Sequence, residues 1–147
     1  GHAWAATVFG DVSPAGKLPV MFPASKEHAF VQRAADTEKG EDPNTISYTE
    51  GMATSYRNNA LKPAFPFGHG LSYTTFSYGQ PRILEGCAAK VCVGLNVTNT
   101  GSRSGSEVAQ AYLQFPNVAK MPLRVLRGFQ KTRVLSPGES HDLVFAF

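Results

Sequence analysis

The chain is predicted to be mainly β, with an antiparallel β-sandwich filling its second half. Three observations carry this. From Val91 onwards, apolar and polar residues alternate with period two in successive short runs. Turn signals such as Asn99-Thr100-Gly101 and Ser136-Pro137-Gly138 separate those runs. Before Ser77, proline, glycine and scattered charge break any long periodicity, so that half is loop-rich.

Ala3 to Phe9 is alanine-rich, with Trp4 and Val8 four apart on one helical face. Gly10 ends that helix, and Asp11 to Gly16 is turn chemistry. Leu18 to Phe22 is a short extended segment between prolines. Pro19 lacks an N–H, which makes it an edge strand or an extended loop. So small a unit cannot bury its own apolar face, and Trp4, Val8 and Phe22 are expected to need a partner from outside this chain.

Ala24 to Ser47 carries Lys26, Glu27, Arg33, Asp36, Glu38, Lys39, Glu41 and Asp42 with little periodicity. A surface excursion is expected, with a poorly patterned helix over Lys26 to Ala35 as the alternative. Ile46 to Tyr56 is weakly strand-like, with Gly51 at a bulge or turn. Pro63 and Pro66 then fix their own φ and push the preceding residue towards extended backbone. Gly68 and Gly70 allow angles that a Cβ forbids. The aromatic stretch Phe65 to Phe76 is therefore expected to form a buried loop plug.

In the second half, Val91, Val93, Leu95 and Val97 form one face of a strand. Ala109, Ala111, Leu113 and Phe115 form a second, and Leu123 to Leu135 holds a third with Gly128 as a candidate bulge. Leu143, Phe145 and Phe147 begin another. About five strands can be counted, against about seven in a complete sandwich. The face shared by Phe145 and Phe147 is accordingly expected to be incomplete, and the chain to be truncated at both ends.

Hydrophobic content of 42% suits a globular chain, and 147 residues permit one domain or two small ones. The net charge of +3 arises from 14 basic and 11 acidic residues, scattered rather than clustered, so no nucleic-acid partner is expected. No apolar run approaches the length of a bilayer span, and no membrane partner is expected. Gly1-His2-Ala3-Trp4 has neither an initiator Met nor a signal-peptide pattern, so the chain reads as an internal piece of something longer. Cys87 and Cys92 either bridge a turn or remain free thiols, and sequence leaves both open. They lack a matching ligand pair, so no metal or other cofactor is expected.

Several segments in order resemble glycoside hydrolase family 3, the β-glucosidase family. They are Phe9-Gly10-Asp11-Val12-Ser13-Pro14-Ala15-Gly16-Lys17-Leu18-Pro19-Val20-Met21-Phe22-Pro23, Tyr48-Thr49-Glu50-Gly51 with Tyr56-Arg57, and Phe65-Pro66-Phe67-Gly68-His69-Gly70-Leu71-Ser72-Tyr73-Thr74. Val97-Thr98-Asn99-Thr100-Gly101, Gly105-Ser106-Glu107-Val108, Gly128-Phe129-Gln130-Lys131 and Pro137-Gly138-Glu139-Ser140 follow. The resemblance implies a remnant of an α/β sandwich domain over residues 1–23 and a loop-rich interdomain segment over 24–76. It implies a truncated fibronectin type III-like, immunoglobulin-like, β-sandwich over 77–147. One departure is Ser55, which stands where the family usually has Gly before its Tyr-Arg pair.

The family's chemistry is retaining hydrolysis by two carboxylates about 5 Å apart. The resemblance implies that both lie upstream of these segments, so no catalytic residue is assigned here and the isolated chain is expected to be inactive. Its parent would hydrolyse terminal non-reducing β-D-glycosyl residues, as a β-glucosidase or a relative such as a β-xylosidase. The expected partners are the parent's catalytic barrel and α/β sandwich domains and, through them, a β-glucoside or oligosaccharide. A non-catalytic carbohydrate-binding or structural fibronectin-like module is the competing expectation.

Candidates for the substrate rim are Glu50, Arg57, Phe67, His69 and Tyr73. Each has a plainer alternative. Glu50 would pair with Arg57 or with backbone amides. His69, between two glycines, would bond a backbone carbonyl instead of a sugar hydroxyl. Phe67 and Tyr73 would be core rather than a platform for a pyranose ring. His2, His28 and His141 are isolated. Asn96-Val97-Thr98 is an N-glycosylation sequon, compatible with the extracellular or periplasmic location expected.

Overall fold

The computed structural model describes residues 1–29, 42, 44 and 51–147. They fall into two compact units. The first joins Gly1–Lys17, His69–Leu113 and Leu126–Phe147; the second joins Leu18–Gly68 and Gln114–Val125.

The first unit holds the antiparallel β-sandwich. Its helix α1, His2–Val8, ends where Gly10 takes φ of +83°, a left-handed turn that glycine adopts without strain. The main sheet is centred on β5 (Cys92–Asn99). Along one flank of β5 runs β8 (Ser140–Ala146), in register from Cys92↔Ala146 to Thr98↔Ser140. The other flank is shared end to end by two three-residue strands. β3 (Phe76–Tyr78) pairs with Val97 to Asn99, and β4 (Arg82–Leu84) pairs with Cys92 to Gly94. β6 (Val108–Gln114) and β7 (Arg124–Lys131) make the second sheet. Six strands thus stand where about five were expected. β3 and β4 escape a period-two reading because each is three residues long and Gly79-Gln80-Pro81 separates them.

Val97, Ala109, Leu143 and Phe145 form the core, with Phe76, Leu95, Ala111 and Phe147 packed against it. Phe145 is only 5% exposed, so its side of the face is covered, contrary to expectation. Gly128 explains part of that cover. It lies inside β7 facing the Phe145 ring, and a Cβ there would stand 3.1 Å from Phe145 Cδ1. An apolar cavity of about 300 Å³ remains, lined by residues that include Pro81, Val93, Leu95, Leu113 and Phe147. The apolar alternation of β5 holds only in part: Cys92 and Gly94, on the other face, are buried as well. Leu84 of β4 covers that end, 3.1 Å from where a Gly94 Cβ would stand.

A buried polar hub closes one end of the sandwich. Asn99 has 0% exposure and uses its whole amide. Its Oδ1 accepts from Thr74 Oγ1 at 2.7 Å and from the Gly101 N–H at 3.1 Å. Its Nδ2 donates to the Arg103 and Leu135 carbonyls, both at 2.8 Å. Ser136 to Glu139 forms a type II turn beside it, with Gly138 at φ of +79° and a Glu139 N–H bond to the Ser136 carbonyl at 2.9 Å.

In the second unit, β1 (Phe22–Pro23) pairs antiparallel with β2 (Pro63–Phe65). The extended segment expected over Leu18 to Phe22 instead bends at Pro19 and Val20, and strand pairing begins at Phe22. Lys26–His28 is one 3₁₀ turn that ends in extended backbone at Ala29; residues 30–35 of the helix considered lie outside the described residues. Of the strand-like stretch Ile46 to Tyr56, the described part is a turn at Gly51-Met52 and a 3₁₀ turn, Ser55–Arg57. The aromatic stretch is buried only in part: Phe65 is 53% and Tyr73 43% exposed, while Phe67 and Phe76 are half-buried. Trp4, Val8 and Phe22 are 76%, 64% and 49% exposed, in keeping with the expectation that these apolar side chains need cover from elsewhere.

Candidate functional site

Two of the rim candidates, Arg57 and Phe67, both lie against Tyr56 in the second unit. Ser55–Arg57 turns Tyr56 onto Phe67, and the rings stack with centroids 4.3 Å apart and planes 24° from parallel. The Arg57 guanidinium carbon lies 6.0 Å from the Tyr56 ring centroid. Arg57 Nε is buried and makes no hydrogen bond. Ser55 carries φ of +51°, a left-handed angle that costs a residue with a Cβ about 1–2 kcal/mol. That is the position where a glycine was expected. The strained turn holds an aromatic pair beside an unsatisfied guanidinium N–H. Aromatic faces and planar donors are what a sugar hydroxyl-and-ring surface pairs with.

His69 and Tyr73 belong to the first unit. Tyr73 is committed to holding the chain together. Its phenol donates to the Thr7 carbonyl at 2.8 Å, and its N–H donates to Ser13 Oγ at 3.1 Å. The Arg103 guanidinium sits 5.6 Å from its ring centroid and also donates to the Gly10 carbonyl. Ser13 and Ser72 hydroxyls bond at 2.9 Å. His69 is half-buried beside Gly70, whose backbone crosses Gly16. Glu50 lies outside the described residues.

Below that crossing lies a charged cluster which sequence reasoning missed. Lys17 Nζ stands 2.7 Å from Glu107 Oε1, and the Tyr78 hydroxyl donates to the same oxygen at 2.7 Å. The Glu107 side chain is 9% exposed. Burial, followed by the hydrogen bond to Glu107 and its negative charge, pushes the Tyr78 phenol well above its ordinary range. Lys17 and Glu107 each lie within a quoted motif, but the distance between them in sequence gives no pairing signal. Tyr56 was also missed, although it sits in the quoted Tyr-Arg pair.

Cys87 and Cys92 are joined by a disulfide that closes the turn between β4 and β5. Asn96 lies within β5, its amide donating to Asp142 at 3.0 Å and its Oδ1 accepting from Thr98 Oγ1 at 3.1 Å. No three His, Cys, Asp or Glu side chains gather as a metal site among the described residues. None of the described helices is long and apolar enough to cross a membrane.

Residues 1–73 match the glycosyl hydrolase family 3 C-terminal domain, and residues 107–147 match the fibronectin type III-like domain. A β-glucosidase of Rhizobium radiobacter is 39% identical over 98% of this chain, which covers 18% of that protein. A periplasmic β-glucosidase of Salmonella typhimurium is 38% identical over 99% of the chain, which covers 19% of it. The crystal structure of a β-D-glucoside glucohydrolase from Trichoderma reesei superposes with a TM-score of 0.85 at 30% identity, over 99% of this chain and 22% of that one. The chain thus spans about a fifth of the length of the relatives it matches.

Proposed function

Because the chain belongs to glycoside hydrolase family 3, we propose that it is the C-terminal part of a retaining glycoside hydrolase that releases terminal non-reducing β-D-glycosyl residues. The parent is a β-glucosidase or a related enzyme such as a β-xylosidase. The observation that carries this is the likeness to β-glucosidases across 98% of the chain. The role of these residues is packing against the parent's barrel and sandwich domains, with Arg57 and Phe67 contributing to the sugar rim. Trp4, Val8 and Phe9, exposed on and just after a seven-residue helix, support the packing role. An extracellular or periplasmic setting is supported by the Cys87–Cys92 disulfide and by the periplasmic relative.

Hydrolysis of an aryl β-glucoside tests the proposal. The full-length protein is expected to turn it over with retention of configuration, and the present chain alone is expected to be inert. Turnover by the purified chain, abolished by Glu50→Gln, would overturn the division of labour. Binding of glycans by the chain alone in calorimetry, with an inactive full-length protein, would favour the non-catalytic module.

A further inference from the structure

Lys17 does two things at once. Its Nζ is held on Glu107 Oε1 beside the Tyr78 hydroxyl. Its stem lies under Gly70: a Cβ built there would stand 2.9 Å from Lys17 Cδ and 2.3 Å from the Gly16 carbonyl oxygen. The His69–Gly70 backbone therefore rests on a lysine whose far end is fixed. Fixing it takes a carboxylate already buried in the sandwich, since Glu107 is anchored through its own N–H to Thr132 Oγ1 at 3.0 Å. Tyr78 satisfies the same oxygen, which limits the cost of keeping the ion pair out of water.

We infer that Lys17, Glu107 and Tyr78 form one positioning device, which sets the height of the His69–Gly70 backbone and through it the placement of His69, one of the rim candidates. The device rests on the glycosidase reading above. It ties the first family-matched segment to the first residue of the second one. Neither charged group need touch substrate; both act through the loop they carry.

The test uses the full-length enzyme with Lys17→Met, Lys17→Arg, Tyr78→Phe and the double variant Lys17→Met with Glu107→Leu. Two readouts are taken: kcat and KM on an aryl β-glucoside, and hydrogen exchange in a peptide spanning residues 65–76. Lys17→Met is expected to speed exchange at His69–Gly70 and raise KM about tenfold with kcat little changed, as loss of uniform binding does. Lys17→Arg is expected to recover most of both. The double variant removes the lone buried charge, so it regains thermal stability while KM and exchange stay raised. A double variant with native KM and native exchange overturns the inference and leaves the pair a matter of stability alone. Tyr78→Phe, which keeps the ring, decides the point by exchange if both Lys17→Met variants fail to fold. If the unmodified enzyme cleaves no aryl β-glycoside, the glycosidase reading falls, and the exchange comparison alone judges the device.

Discussion

The Thr74 hydroxyl donates to Asn99 Oδ1 at 2.7 Å, both residues buried and 25 positions apart. This contact ties the end of the proline- and glycine-rich stretch to the central strand. Around it, an amide with two donors and two acceptors is fully used. Asn99→Ala leaves the Thr74 hydroxyl, the Gly101 N–H and two carbonyls without that partner. Each buried group so stranded costs about 1–3 kcal/mol, and relaxation recovers part of the sum. A loss of about 3 kcal/mol or more is expected in urea unfolding. Thr74→Val keeps the shape, leaves Oδ1 its bond from Gly101, and is expected to cost about 1 kcal/mol.

The crossing of Gly70 over Gly16 is one-sided. A Cβ on Gly70 collides with the Gly16 carbonyl oxygen at 2.3 Å, whereas a Cβ on Gly16 meets nothing within 4 Å. Gly70→Ala is therefore expected to destabilise by about 1–3 kcal/mol, the usual range for forced overpacking. Gly16→Ala is expected to stay within about 0.5 kcal/mol. Paired thermal melts check both; equal effects would mean that the two segments do not touch as described.

Tyr78 makes stability depend on alkaline pH. Its phenol is raised above the ordinary value near 10. The folded chain thus holds that proton more tightly than the unfolded chain does. Its contribution is complete below the unfolded value and is lost as pH rises through about 10 towards the folded one. Phenolate absorbance is expected to show one tyrosine that lags until the chain unfolds. Tyr78→Phe is expected to remove the lag and flatten the alkaline limb.

The Cys87–Cys92 disulfide closes a short loop, so its entropic effect is modest. Reduction, or Cys87→Ser with Cys92→Ser, is expected to cost about 2 kcal/mol. Because Leu84 pairs with Cys92, faster amide exchange is expected first in β4, before the β5–β8 pairing loosens.

Much of the sandwich was legible because it is written locally. The runs ending at Val97 and Leu113 alternate, and Pro137-Gly138 announces the type II turn that the structure shows. What escaped depends on partners far away in sequence. Asn99 reads as an ordinary turn residue until Thr74 and Leu135 close on it. Lys17 and Glu107 look like surface charges until the fold brings them to 2.7 Å. The rim candidates were legible as residue types, and their surroundings were not. Arg57 and Phe67 converge through Tyr56, which alternation cannot flag, while His69 and Tyr73 belong to the other compact unit.

The long pairing of β5 with β8 has a kinetic consequence. Its nearest cross-strand contact, Thr98 with Ser140, already joins residues 42 apart, and the pairing widens from there. The start of β5 gains its β8 partner only once Ala146 has been made. On a ribosome, β5 would emerge with one edge bare and wait. High contact order of this kind slows folding, and the bare edge is open to strands of other molecules in the meantime.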